Sequence, residues 1–125
     1  MDETNLPLWI PSAERVKKSN FTQYFSFLKK HFHKDFDNYE ELYNWSITEL
    51  EEFWKSIWEY SEIIHSKSYQ AILIERTMPG AQWFEGTELN FAENLLKYKD
   101  DEVAIISIRE KHPTIKVKYN ELYSL

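Results

Sequence analysis

Two aromatic stripes at helical spacing constrain this chain more than any other feature. Phe21, Tyr24, Phe25, Leu28 and Phe32 fall at i, i+3, i+4, i+7 and i+11, which is one face of a helix. Leu50, Phe53, Trp54, Ile57, Trp58 and Ile64 trace a second such face. Faces this apolar must be covered, and each can cover the other. Aromatic residues make up 17% of the 125-residue chain, and rings bury large areas each, so a dense core is within reach of a single domain's length. The excess also leaves rings over to cover a partner surface.

Local signals place the helix starts. Ser12 is positioned to cap a short helix through Lys18, behind an extended arm in which Pro7 and Pro11 flank an anchoring Trp9. Asn20 followed by Gln23 resembles a capping box for the first striped helix. "HFHKDFDN" reads as a loop. Asn38 with Glu41 opens a further helix with Tyr39, Leu42 and Trp45 inward, and Ser46 with Glu49 marks the next start. Glu49, Glu51 and Glu52 then occupy a first turn, where the helix dipole favours negative charge.

Beyond Ser66 the character changes. "YQAILIE" predicts a strand, and "MPGAQWFEGTELNFAENLL" holds both glycines of the chain. Gly80 after Pro79 fits a turn that needs positive φ, Trp83 and Phe84 run extended, and Gly86 opens a second turn. Asn90 then caps a helix with Glu93 as its reciprocal acid, and Leu89, Ala92, Leu95 and Leu96 face inward. "EVAIISIRE" and "TIKVKY" predict a hairpin around Pro113. "YNELYSL" begins a helix that a single turn can barely sustain, since nucleation is costly. The expected fold is α+β, mainly α: a helical domain with a short strand over 1–98, then a hairpin and helix start over 99–125 that open a larger domain, here truncated.

Chemistry is bounded mostly by exclusion. A formal charge of −6, with only short basic clusters at Arg15 to Lys18 and Lys29–Lys30, argues against a nucleic-acid partner. No stretch approaches the ~18 apolar residues of a membrane span, and the N-terminus lacks the pattern of a signal peptide. Cysteine is absent, which removes thiolate metal sites and fits a cytoplasmic protein. His31 and His33 lie two apart, on different faces of a helix, and His65 and His112 stand alone, so no metal site is expected. The acidic clusters sit at helix starts or turns. Neither a G-x-S-x-G elbow nor a phosphate loop is present. No catalytic or cofactor-binding residue is expected in the chain.

A resemblance accounts for the glycine-bearing segment. "LWIPSAERVKKSNFTQYFSFL", "YEELYNWSITELEEFWKSIWEY" and "MPGAQWFEGTELNFAENLL" occur in the order found in the N-terminal domain of acetoacetyl-CoA synthetases (acetoacetate–CoA ligases). These are a branch of the AMP-forming acyl-CoA synthetases, in the adenylate-forming superfamily. The chain resembles that branch in P-G-A-x-W-F and A-E-N-L-L; it departs from it at Phe91, where Tyr is common, and at Lys118, where Thr often caps the helix. The resemblance implies a parent that uses ATP, Mg²⁺ and CoA to convert acetoacetate to its thioester through an acyl-adenylate. It also implies that the parent's catalytic motifs lie outside these residues, so this chain alone is inactive and binds none of those cofactors. Its partner would be the adenylation domain of the same polypeptide. Gly80, Trp83, Phe84, Gly86, Asn90 and Glu93 are the structural or interface candidates, with the two rings either wedged against that domain or part of this one's interior. A dimer through exposed aromatics is a further expectation. The alternatives are a stand-alone helical interaction module and a fragment of an acetyl- or propionyl-CoA synthetase.

Overall fold

Short polar residues start the helices. In the computed structural model, which describes residues 8–124, Ser12 accepts the Arg15 N–H and opens α1 (Ala13–Lys17). Pro7, the outer proline of the expected arm, and Leu125 lie outside the described residues. The chain divides into two units, one ending at Glu62 and the other beginning at Ile63.

The first unit contains α1, α2 (Asn20–Phe32), α3 (Tyr39–Thr48) and α4 (Leu50–Tyr60). The cap of α2 is Ser19 rather than Asn20, and its Oγ accepts the Thr22 N–H; Gln23 instead donates to the Lys18 carbonyl. At the other end His33 turns left-handed, φ 55°, and the His33 and Lys34 amides both fold back on the Leu28 carbonyl. That reversal closes the helix as a glycine often does. Asn38 caps α3 as expected, accepting from the Glu41 N–H, while Glu41 accepts from the Asp37 N–H. Ser46 starts nothing. It lies inside α3 and bonds back to the Tyr43 carbonyl, and α4 begins at Leu50 behind Glu49, which makes no side-chain cap.

The two stripes do meet. Tyr24 and Leu28 from α2 and Leu42 and Trp45 from α3 form the buried cluster, with Phe53 and Ile57 of α4 packed against it. Leu28 is wholly buried, which contributes about 1.5–3 kcal/mol of transfer free energy. Tyr39 is the exception to the expected inward set and is 62% exposed. A serine, Ser56, sits at zero exposure among these rings. Its single proton goes to the Phe53 carbonyl at 2.6 Å, so the Tyr24 hydroxyl, 2.5 Å away, must donate to Ser56 Oγ. Burial pushes the Tyr24 phenol above its ordinary pKa, partly offset by the Ser56 bond. At the edge of the cluster, Trp45 Nε1 donates to Glu52 at 3.0 Å, and Lys34 pairs with the same carboxylate oxygen at 2.8 Å.

The second unit holds β1 (Ala71–Leu73), β2 (Trp83–Glu85), α5 (Phe91–Leu95), β3 (Val103–Ser107), β4 (Ile115–Lys118) and α6 (Tyr119–Tyr123). The strands form two separate antiparallel pairs, β1–β2 and β3–β4. The expected strand in "YQAILIE" is realised only over its central three residues. The hairpin forms as expected, in register Ile105↔Val117, Ile106↔Lys116 and Ser107↔Ile115, with an irregularity between Val103 and Ile105. The architecture is mostly helical with two small antiparallel pairs, the α+β, mainly α class that the sequence predicts.

Candidate functional site

The segment carrying both glycines folds against the stretch that follows Ile63. Backbone bonds run the length of this pairing. The Ser66 and Lys67 amides donate to the Glu88 carbonyl, Gln70 donates to Glu85, and Ile74 donates to Gln82. Ser66 Oγ adds a bond to the same Glu88 carbonyl at 3.0 Å, and Lys67 pairs with the Glu88 carboxylate at 3.1 Å. A ladder of this kind tolerates extra length only at turns, and the glycines stand at the turns. Gly80 has φ 125° and Gly86 φ 77°. A Cβ on Gly86 would also come within 3.2 Å of the Gln70 side chain. Both positions therefore require glycine for the reason that the turn reading predicts.

Trp83 and Phe84 depart from a simple extended run. Trp83 pairs with Leu73 in β2, whereas Phe84 is left-handed at φ 50°. That backbone carries Phe84 to an edge-on contact with Tyr69, ring centroids 5.4 Å apart, while Trp83 remains 40% exposed. Asn90 caps α5 by accepting the Glu93 N–H at 3.2 Å. Glu93 itself is exposed in the first turn of that helix. The structure therefore gathers Trp83, Phe84 and Gly86 on one ribbon, with Gly80 at its turn and Asn90 and Glu93 at the adjoining helix start.

Sequence reasoning missed Asn94, which makes the densest set of bonds in this region. Its Oδ1 accepts the Ile64 N–H at 2.9 Å, and its Nδ2 donates to the Ile64 carbonyl at 2.8 Å and to Asn90 O at 3.0 Å. The side-chain amide thus substitutes for a strand partner to one residue thirty positions upstream. Nothing local to "AENLL" announces that partner.

The inward set expected of α5 is not covered. Leu89 is 45% exposed and Leu95 57%, and Ala92 is also exposed. Ala92, Leu95 and Leu96 instead line one wall of an apolar cleft of about 310 Å³, closed on the other side by Ala104, Tyr119 and Leu122. Asp101 ties the chain ahead of β3 to β4 and α6. Its carboxylate accepts from Lys118 Nζ and Asn120 Nδ2, each at 3.0 Å, and these bonds hold it below the usual carboxylate range. The Lys118 N–H donates to Glu121 at 2.9 Å, so this end of α6 is capped from the acid side, although lysine cannot accept as a threonine would.

Among the described residues no group of three or more His, Asp or Glu could hold a metal ion. His31 stacks on Phe27 at 4.6 Å, and His65 Nδ1 lies 3.0 Å from the Ile63 carbonyl. The cleft beside α5, lined by leucine, alanine and Tyr119, presents no charged group to a nucleoside triphosphate, its Mg²⁺ or CoA. The residues that line this cleft do not fit those groups.

Comparison with known proteins matches residues 39–95 to the family "Acetyl-coenzyme A synthetase N-terminus". The chain is 35% identical over 119 residues to the acetoacetyl-CoA synthetase of Danio rerio, covering 92% of this chain and 17% of that protein. It is 38% identical over 114 residues to the malonamoyl-CoA synthetase vrtB of Penicillium aethiopicum, covering 82% of this chain and 15% of that one. The solved acetoacetyl-CoA synthetase from Streptomyces lividans superposes with a TM-score of 0.83 at 36% identity, over 94% of this chain and 19% of that one. The chain thus spans under a fifth of each of these three relatives. The match covers the glycine-bearing ribbon and the aromatic helices α3 and α4, and the superposition reaches most of the remainder. Residues 39–95 thus match the acetyl-coenzyme A synthetase N-terminus family, and the chain as a whole is similar to one part of the acetoacetyl-CoA synthetases.

Proposed function

We propose that this chain serves as the N-terminal, structural portion of an acetoacetyl-CoA synthetase. The parent reaction joins acetoacetate to CoA, with ATP cleaved to AMP and pyrophosphate. The observation that carries the reading is the folded glycine ribbon together with α5, whose apolar side lies open in this chain although its ladder and caps are complete. A region held in shape by hydrogen bonds while its leucines face water is built to be covered. Support for the acid comes from the relatives named for acetoacetate, at 35% and 36% identity. The domain boundary at 98/99 and cytoplasmic residence belong to the same reading.

In this reading the residues here supply packing surface. Gly80 and Gly86 set the turns, Asn90 and Glu93 start α5, and Trp83 offers its exposed face to the adenylation domain. The exposed rings would otherwise drive self-association or dye binding of the chain alone.

The test is an assay for acetoacetyl-CoA formation from acetoacetate, ATP and CoA, run on this 125-residue chain and on the gene's full product. Turnover by the full product alone is expected. Turnover by the 125 residues would defeat the structural role. The malonamoyl-CoA relative, at 38% identity, favours a second reading in which the parent takes another short acid. A full product that rejects acetoacetate but uses malonamate, acetate or propionate would select it.

A further inference from the structure

Resting on that reading, we infer that the outer edge of β3 is a strand-pairing site, filled in the ligase by a further strand that is apolar on both faces, while β4 is a true sheet edge. The two strands of this hairpin are built for different surroundings. From Val103 to Ile108 the sequence VAIISI carries no charge. Neighbouring residues on a strand point to opposite faces, so Ile105 and Ile106 make both faces of β3 apolar. They are 45% and 56% exposed, and Ile108 beyond them is 78% exposed. A strand of this composition belongs where both faces are covered.

β4 reads the other way. Ile115 and Val117 alternate with Lys116 and Lys118, so one face is apolar and the other carries lysines. Alternation with lysine is how sheets blunt an outer edge against further pairing. Among the described residues β3 pairs with β4 alone. Every second residue of β3 therefore turns its N–H and C=O away from β4. Once both faces of β3 are buried, water cannot reach those groups, and another strand's backbone must. The polypeptide that supplies the cover is the natural source of that strand, since the matched relatives are more than five times longer than the region they share with this chain. Charge adds a direction at one end: Asp100, Asp101 and Glu102 precede β3, so an acid beside them on the incoming strand would be opposed, whereas the signs are mixed in Arg109, Glu110 and Lys111 beyond it.

The test is residue-resolved amide exchange on this chain and on the longer gene product, with ligase activity measured in parallel. In the longer product the outward amides of β3 are expected to exchange at least about tenfold more slowly than in this chain, and those of β4 to stay fast in both. Fast exchange at β3 in a longer, active ligase overturns the pairing and leaves the function reading intact. Protection at β4 instead of β3 overturns the assignment of the edge. Protection in the 125-residue chain that vanishes on dilution means that a second copy takes the edge, and the occupant is wrong. A protected β3 in a product without ligase activity supports the pairing and removes the function. As a second measurement, Ile106→Lys should lower the yield of folded longer product at least about tenfold, and Lys116→Thr should leave it unchanged. Equal yields for both variants would also overturn the inference.

Discussion

The two units use a similar wealth of apolar residues to opposite effect. Before Glu62 the helices turn their stripes on one another, and Tyr24, Leu28, Leu42, Trp45 and Ser56 are buried. After Ile63, Leu73 is the one buried residue among those described. There the shape is kept by polar ties: Asn94 to Ile64, Ser66 and Lys67 to Glu88, and Asp101 to Lys118 and Asn120. Solvated ties of this sort compete with water and hold shape weakly, whereas a closed core gains from every buried methylene. The difference teaches that the first unit has what it needs to hold itself, and that the second is shaped but not sealed.

The largest expected effect tests that contrast directly. Leu28→Ala should destabilise the chain by about 2–5 kcal/mol, read from urea unfolding followed by circular dichroism. The loss of amide protection should stay within the first unit. A matched loss throughout residues 64–96 would break the contrast, because it would make the two units one cooperative structure.

Next in size is Ser56→Ala. It leaves the Tyr24 hydroxyl buried without an acceptor, a cost of about 1–3 kcal/mol, and adding Tyr24→Phe should recover much of it. The same contact fixes an alkaline limit. Because burial raises the folded phenol's pKa above 10.0, the unfolded chain releases its proton first as pH rises. Stability should be steady below about pH 10 and fall above it, and Tyr24→Phe should flatten that fall. A pH-independent wild type would show that the hydroxyl is not in a closed core.

Gly86→Ala probes the second unit. A left-handed backbone plus a Cβ pressed on Gln70 should cost about 1–2 kcal/mol, visible as faster exchange along the 66–88 ladder and no change at Leu28. The smallest effect is expected at Glu52. Burial raises its pKa, but the bonds from Lys34 and Trp45 outweigh this and leave it below 4.5. The pair's contribution is therefore present above the unfolded value and is lost as pH falls through the folded one. Glu52→Gln should make the acid-unfolding curve shallower, by less than about 1 kcal/mol, since the pair is partly exposed.

How much of this was legible depended on whether the deciding contact was local. The stripes of α2 and α4 were readable because helical period is a property of neighbouring residues. The α2 cap slipped by one because Ser19 and Asn20 are both cap formers, and the winner was settled by where Thr22 presents its N–H. Ser46 imitated a helix start, yet its hydroxyl is satisfied by the preceding turn. Gly80 and Gly86 were readable from the turn chemistry, but left-handed Phe84 was not, because nothing in a phenylalanine announces positive φ. Asn94 was out of reach for the same reason that it matters: its partner lies far upstream. The faces of α5 were read correctly as apolar and wrongly as covered, since apolarity is written in the residues and cover is not.

Trp45 has one more consequence. Of the five tryptophans it is the one sealed from water, whereas Trp9, Trp54 and Trp83 are substantially exposed. Indole emission shifts to the blue in a dry environment, so the short-wavelength part of this protein's fluorescence should come from Trp45 and report the α2–α3–α4 contact. Trp83 is the single indole after Ile63, and its quenching by a soluble agent should follow the ribbon. The molecule thus carries its own optical labels, one for the closed half and one for the open half. When a partner covers the ribbon, the second should fall silent to the quencher while the colour of the first stays put.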